Sequence, residues 1–265
     1  MSVYQGDNPE HFQLAIDSIF NQTQLPDQLV LVVDGPIEDK VSDKIHGYQN
    51  QYDFLTVHVL PENVGLIKAL NSGLDLCQHP LVFRMDSDDI ADVNRIRLQS
   101  EFMATHPEVT LLGTQMTDFT ISTEHPLPSK IMPLGHEEIQ SKLPWRNPIN
   151  HPTVCFRRDA VLEVGGYPDL EFLEDYLLWC LLISKGHRCH NLDRSLLYYR
   201  FDDGTLTRRS GTKNFTNEVK LRRWLLDNNL CSTPVFVITC LMQLVLRYAP
   251  ITLKRYLWRR SREQP

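Results

Sequence analysis

Apolar positions along the chain follow two periods. Phe12, Ile16, Ile19 and Phe20 recur at helical spacing, behind Asp7 or Asn8 as a cap, Pro9 at the first helical position and Glu10 in the first turn. Gln28 to Val33 is instead a continuous β-branched and leucine-rich run. It ends in Asp34-Gly35-Pro36, which predicts a buried strand and a tight turn. A polar helix over Glu38 to Gln51 follows, with Val41, Ile45 and Tyr48 inward. Then come a strand over Phe54 to Leu60, a loop at Pro61 to Gly65, and a helix carrying Leu66, Ala69, Leu70, Leu74 and Leu76. The next apolar run, Leu81 to Met85, stops at Asp86-Ser87-Asp88-Asp89, and a helix is predicted from about Val93 to Thr105. Met1 to Tyr4 reads as the end of a strand, either short or begun upstream. Three strand–helix repeats in about ninety residues imply a parallel sheet with right-handed crossovers.

Beyond Pro107 the pattern changes. Short strand signals at Val109 to Thr114 and near Ile131 precede a helix over Glu137 to Leu143. Pro144 to Pro152 has no period and reads as a shaped loop. A strand over Thr153 to Phe156 leads to a short helix, Arg158 to Val164, closed by Gly165-Gly166. Glu171-Phe-Leu-Glu174-Asp175 opens a strong helix with Leu178, Cys180, Leu181 and Leu182 inward, and Gly186 ends it. Two strands are predicted next, His187 to Leu192 and Leu196 to Phe201. Asp202 to Gly211 is polar and bounded by glycine; its Arg208 and Arg209 suit either a phosphate-neutralising mobile loop or a solvated surface loop. Helices over Asn214 to Asn228, Pro234 to Arg247 and Ile251 to Arg259 complete the chain.

Composition narrows the classes. A chain of 265 residues is long enough for one large or two small domains, and its net charge of -6 argues against general nucleic-acid binding. The six cysteines form no C-x-x-C pair and lie mostly in apolar runs, which suits reduced thiols in a cytosolic protein. No secretory pattern opens the chain, and the apolar run Val235 to Leu246 is too short to span a bilayer. Lys254, Arg255, Arg259, Arg260 and Arg262 make the tail basic, fit either for an anionic membrane face or for packing on the domain. Neither a dinucleotide fingerprint, a P-loop nor a G-x-S-x-G elbow occurs. His187-Arg-Cys189-His190 alternates faces in a strand, so its side chains do not converge on a metal.

Two acidic groups carry candidate chemistry. Asp86, Asp88 and Asp89 repel one another unless a cation sits among them, and carboxylates at a strand end suit a hard divalent ion. A cluster opening the next helix is the other reading. Glu174-Asp175 suits either a general base raised by desolvation or acids favoured at a helix start.

Seven segments occur in register with one family. They are Met1 to Tyr4; Ala15 to Thr23 with Pro26; Val32-Val-Asp-Gly35; Asn63-x-Gly65 with Lys68, Ala69, Asn71 and Gly73; Met85-Asp-Ser-Asp-Asp89; Asn147 to Pro152 with Gly165-Gly-Tyr167; and Phe172-Leu-Glu-Asp-Tyr-Leu-Leu-Trp179. Together they resemble the bacterial family 2 glycosyltransferases. Two departures stand out: one Asp at Asp34 where the family has two, and Pro36 in place of Ser.

The resemblance implies an α/β protein of the GT-A nucleotide-sugar-binding fold, with a mostly parallel central sheet flanked by helices and a C-terminal helical extension. Expected boundaries are 1–212 for the transferase domain, split into a nucleotide-binding half (1–106) and an acceptor-binding half (107–212), with 213–265 a basic, membrane-associating segment. It further implies that Ser2, Asp34, Asn63, Lys68, Asp86 and Ser87 bind the donor, and that Asp86 and Asp88 hold Mn²⁺ or Mg²⁺. Asp175 would be the catalytic base, with Glu174 and His151 on the acceptor side. Asp89 is left as an acid opening the turn into the following helix. Lys220-Leu-Arg-Arg-Trp224 nears the processive Q-x-x-R-W motif with Lys for Gln, and reads as structural in a non-processive enzyme. The implied activity is inverting transfer of a hexose from a UDP-sugar to a polyprenyl-diphosphate-linked saccharide at the inner membrane's cytoplasmic face, in O-antigen, capsule or exopolysaccharide synthesis. The rival is a non-catalytic nucleotide-sugar-binding or assembly component, motivated by the short first strand. A sugar nucleotidyltransferase would need a Gly-rich N-terminal loop, and Ser2 to Asn8 offers only Gly6.

Overall fold

The computed structural model describes residues 1–201 and 212–250, together with 252, 253 and 260. The Arg208–Arg209 loop, most of the predicted helix over Ile251 to Arg259 and most of the basic tail lie outside the described residues.

The amino-terminal half alternates strand and helix: β1 (Ser2–Tyr4), α1 (Pro9–Phe20), β2 (Leu29–Asp34), α2 (Asp39–Gln51), β3 (Leu55–Leu60) and α3 (Leu66–Leu76). The three strands form a parallel sheet in the order β1-β2-β3. Every residue of β2 is buried, as its unbroken apolar run requires of a strand covered on both faces. Asn8 caps α1, its Oδ1 accepting from the backbone N–H groups of Glu10 and His11 at 2.8 and 3.1 Å.

A second sheet, of order β4-β7-β6-β8-β5, uses β4 (Leu81–Phe83), β5 (Ile90–Ala91), β6 (Val109–Phe119), β7 (Cys155–Arg157) and β8 (Arg188–Arg200). It is mixed: β6 and β8 run parallel, while β4 and β6 lie antiparallel to β7, and β5 antiparallel to β8. The helices here are α4 (Arg95–Thr105), α5 (His136–Lys142), α6 (Arg158–Glu163) and α7 (Glu174–Ser184).

Three expectations are corrected. The two carboxy-terminal strands are one, β8. Its ladder with β6 jumps from Leu192 to Ser195 opposite Thr114 and Gln115, so Asp193 and Arg194 bulge outward without ending the strand. No strand forms at Ile131, which is 62% exposed and has no burying face. Asp89 opens no helix: β5 follows it, and α4 starts only at Arg95.

Trp179 is fully buried in the larger core with Leu178 and Leu182 of α7. Leu221 and Leu225 from α8 (Thr212–Asp227) belong to the same cluster. Arg222, inside the Lys220–Trp224 run, is buried. It pairs with Glu218 at 3.2 Å and donates to the Pro144 carbonyl at 2.8 Å and the Tyr176 hydroxyl at 2.9 Å. Those partners offset the cost of burying the guanidinium in part, its Nε being left without a hydrogen bond.

The last described helix, α9 (Thr233–Tyr248), turns an apolar face outward. Val237, Ile238, Leu241, Met242, Val245 and Tyr248 are all exposed, at helical spacing. No helix among the described residues is long and apolar enough to cross a membrane.

Candidate active site

Asp34 ends β2 and is buried. Its Oδ1 accepts from the backbone N–H of Val64 at 2.7 Å and its Oδ2 from that of Gly65 at 3.1 Å. Asn63 Nδ2 donates to the Asp34 carbonyl at 3.2 Å. Asp34 therefore folds the Asn63–Gly65 loop against the strand end. Gly35 permits this approach: at φ +82° a Cβ there would lie 2.5 Å from the Asn63 nitrogen. Ser2 is half-buried opposite Val32, and Lys68 stands exposed on the first turn of α3. Neither makes a described side-chain hydrogen bond to the acids beyond β4.

Those acids do converge. Asp86, Asp88 and Asp89 each offer a carboxylate oxygen, all within 4.8 Å of one another. Asp89, assigned no site role from sequence, belongs to the cluster: it is fully buried, and its Oδ2 has no hydrogen-bond partner. Burial, then Asp86 and Asp7, push the Asp88 carboxyl up to about 6. Asp89 is raised well above the carboxylate range by burial, then by Asp86 and Asp88. An all-oxygen set with an orphaned buried acceptor and mutual repulsion fits a hard divalent cation such as Mg²⁺ or Mn²⁺.

Two arginines brace the cluster. Arg84 is buried in an ion pair with Asp86. Arg200, at the end of β8, donates from its backbone N–H to Asp89 Oδ1 at 2.8 Å and from Nε to the Asp88 carbonyl at 2.9 Å. Its guanidinium lies 4.5 Å over the Phe119 ring. Asp7 also reaches this pocket. Because Asn8 does the capping, Asp7 is left to approach Ser87, and its own carboxyl is raised chiefly by burial. Sequence reasoning missed both Asp7 and Arg200. The D-N-P start held the signal for Asp7, whereas nothing local marks Arg200, 111 residues from Asp89.

The residues expected on the acceptor side form a second group. Glu174 and Asp175 open α7. Asn147 Nδ2 donates to Asp175 Oδ2 at 2.7 Å, while Asn147 Oδ1 accepts from the Ile149 N–H at 3.2 Å. Glu174 is buried, and burial, then Asp175, push its carboxyl up to about 7. Asp86 adds to that rise, which puts the two acidic groups within electrostatic reach of each other. Phe172, two residues upstream, sits at φ 68°, a conformation that bulky side chains rarely adopt.

His151 Nε2 lies 3.2 Å from the Tyr167 hydroxyl, and the ring meets Trp179 edge-on at 6.0 Å. Burial, then Arg84, hold its pKa well below the usual 6.5, so the imidazole is neutral at neutral pH. Asn71 of α3 clasps the Tyr167 backbone, donating to its carbonyl at 2.9 Å and accepting from its N–H at 2.8 Å. Gly166 makes room, since a Cβ there would lie 2.5 Å from Asn71 Oδ1.

Comparison with known proteins adds four findings. The model of the family described as "Glycosyl transferase family 2" matches residues 3–166. The amylovoran biosynthesis glycosyltransferase AmsE of Erwinia amylovora is 32% identical over 99% of this chain and 98% of its own length. An Escherichia coli UDP-Gal:alpha-D-GlcNAc-diphosphoundecaprenol beta-1,3-galactosyltransferase is 31% identical over 98% of this chain and 94% of its own. Among solved structures, residues 1–349 of S. aureus TarS in complex with UDP-GlcNAc superimpose with a TM-score of 0.67 at 17% identity. That match covers 94% of this chain and 72% of the solved 1–349 chain, a likeness of fold alone.

Proposed function

Since this chain belongs to glycosyl transferase family 2 and has the GT-A fold, we propose that it is an inverting, metal-dependent hexosyltransferase. It takes a sugar from a nucleotide sugar, with a UDP-hexose the expected donor. It passes the sugar to a polyprenyl-diphosphate-linked saccharide during synthesis of a bacterial surface polysaccharide. The observation that carries this reading is the Asp86–Asp88–Asp89 cluster, with the Glu174–Asp175 pair within electrostatic reach of it. The printed activities of the relatives support the donor and acceptor classes.

In this reading Asp175, held by Asn147, takes the proton of an acceptor hydroxyl. The hydroxyl oxygen bonds to the anomeric carbon as the bond from that carbon to the diphosphate oxygen breaks, and the anomeric configuration inverts. Asp86, Asp88 and Asp89 would hold a divalent cation, which would supply Lewis-acid stabilisation for the leaving diphosphate. Asp34 with Ser2 takes the nucleobase side, Asn63, Lys68 and Ser87 line the nucleotide, and Glu174 and His151 face the sugars. Positioning supplies much of the acceleration.

The boundaries follow the same reading: a nucleotide half over 1–106, an acceptor half over 107–212, and a carboxy-terminal segment over 213–265. In that segment the outward apolar face of α9 and the basic residues after Pro250 suit peripheral attachment to the inner membrane's cytoplasmic face. Truncation after Pro250 combined with Leu241→Glu should shift the protein from the membrane to the soluble fraction; an unchanged distribution refutes the attachment.

The activity is tested by a screen of nucleotide-sugar donors with a lipid-linked saccharide acceptor, beside calorimetry of UDP with and without Mn²⁺. Transfer by the native chain, lost in Asp175→Asn, supports the enzyme. UDP binding that ignores Mn²⁺, with no transfer from any donor, favours the non-catalytic binding component.

A further inference from the structure

Helix α8 comes after both sheets in the chain, yet its polar side chains grip the segments on either side of Asp175. Asn217 Nδ2 donates to the Glu171 carbonyl at 3.1 Å, and Lys213 forms an ion pair with the Glu171 carboxylate. Further along the helix, Arg222 Nη1 donates to the Pro144 carbonyl at 2.8 Å and the Tyr176 hydroxyl at 2.9 Å, with the Leu143 carbonyl at 3.5 Å. The Tyr176 hydroxyl in turn donates to the Leu143 carbonyl. These oxygens belong to two segments that meet at the proposed base. Tyr176 adjoins Asp175 in the first turn of α7. Leu143 and Pro144 follow α5 and lead to Asn147, whose Nδ2 donates to Asp175 at 2.7 Å and whose Oδ1 accepts from the Ile149 N–H. Neither segment is held by its own backbone alone. Leu173 gives α7 no side-chain cap, Pro144 to Asn147 lies in no helix or strand, and Phe172 is kept at φ 68°. Such a φ persists where the surroundings over-determine it, and the grip of Asn217 and Lys213 on Glu171 does so one residue upstream.

We propose that α8 is a clamp on the base, with Arg222 its positioning residue. Arg222 fixes the first turn of α7 against the turn that carries Asn147, and so aims Asp175 at the acceptor hydroxyl. The inference rests on the reading of Asp175 as the base. It makes the chain beyond residue 212 part of the acceptor site's frame as well as the proposed membrane attachment. Fold stability alone does not call for charge at this place. A buried ion pair such as Arg222–Glu218 is often exchanged for apolar side chains of similar volume with no loss of stability. A planar fork of N–H donors, by contrast, binds oxygens of two separate segments and of its own helix at once, which no apolar side chain can do.

Two variants separate positioning from folding. Tyr176→Phe keeps the ring and removes the hydroxyl. Arg222→Met combined with Glu218→Leu removes both buried charges together, so that neither is left unpaired. Each should keep Tm within about 5 °C of the native chain. Each should lower kcat with a lipid-linked saccharide acceptor by about tenfold, with KM for the nucleotide sugar unchanged. The Ile149 amide, bonded to Asn147, should exchange with solvent about tenfold faster, while the amides of β2 keep their native rates. Native kcat in both variants of an active chain overturns the clamp, whatever the exchange at Ile149. Exchange that rises equally at Ile149 and in β2 overturns it too, since Arg222 then serves the fold as a whole. A native chain that transfers no sugar from any donor defeats the proposed function by itself. Exchange at Ile149 then still decides the clamp: native rates in both variants overturn it, and a rise confined to Ile149 upholds the hold of α8 on Asn147.

Discussion

The two acidic groups of the cleft are built in opposite ways. Asp86, Asp88 and Asp89 follow a strand end, crowd within 4.8 Å and leave one buried oxygen without a partner. Glu174 and Asp175 open a helix, where the dipole favours negative charge, and Asn147 already holds Asp175. The first group is unbalanced without a cation. The second is balanced, apart from the cost of burying Glu174. A shared surplus of negative charge therefore does different work at each end: one end is shaped to take up a positive ion, the other to accept a proton.

Exchange of one carboxylate for an amide separates the two ends most sharply. Asp175→Asn should lower kcat by about a thousandfold while UDP affinity in Mn²⁺ stays near that of the native chain, as measured by single-turnover kinetics and calorimetry. Asp88→Asn should instead erase the Mn²⁺ dependence of UDP binding, with affinity in Mn²⁺ falling by about a hundredfold or less. If both variants lose UDP binding equally, the division of labour is wrong. Asn147→Ala removes the hydrogen bond that fixes Asp175 and should cost about tenfold in kcat with little change in KM.

Glu174 gives a pH signature. Its folded pKa of about 7 lies above the ordinary 4.5, so the native state binds more protons than the unfolded chain between those values. Stability is thus lost as pH rises through that window. Glu174→Gln removes the penalty and should gain on the native chain from pH 5 to pH 8, by at most about 3 kcal/mol in denaturant titrations. A gap that stays constant across this range would mean that Glu174 is not held protonated by its burial. The smallest change is expected at Phe172→Gly, where relief of the positive φ should stabilise by about 1 kcal/mol or less, read as a shift in urea midpoint.

Much of the donor half was legible because its determinants are local. The unbroken apolar run of β2, the helical spacing of α3 and the three acids after β4 each lie within a few residues. The Asn71, Gly166 and Tyr167 motif pieces proved to be one contact, which no single stretch displays. What stayed hidden depends on distance or competition. Arg200 reaches Asp89 only because β8 crosses the second sheet to β5. Asp7 and Asn8 were equivalent cap candidates until backbone geometry gave that work to Asn8. The bulge at Asp193 and Arg194 resembled a break because polar residues interrupt an apolar period whether a strand ends or merely buckles.

The clasp of Asn71 on the Tyr167 backbone sets a limit on movement. One amide group, giving and receiving a hydrogen bond, ties α3 to the turn that follows α6 at 2.9 and 2.8 Å. The base of the cleft therefore behaves as a fixed span, not a hinge. In the proposed transferase, opening and closing over a bound sugar would fall to its rim, and the choice among sugars of different bulk would be made by side chains above that span.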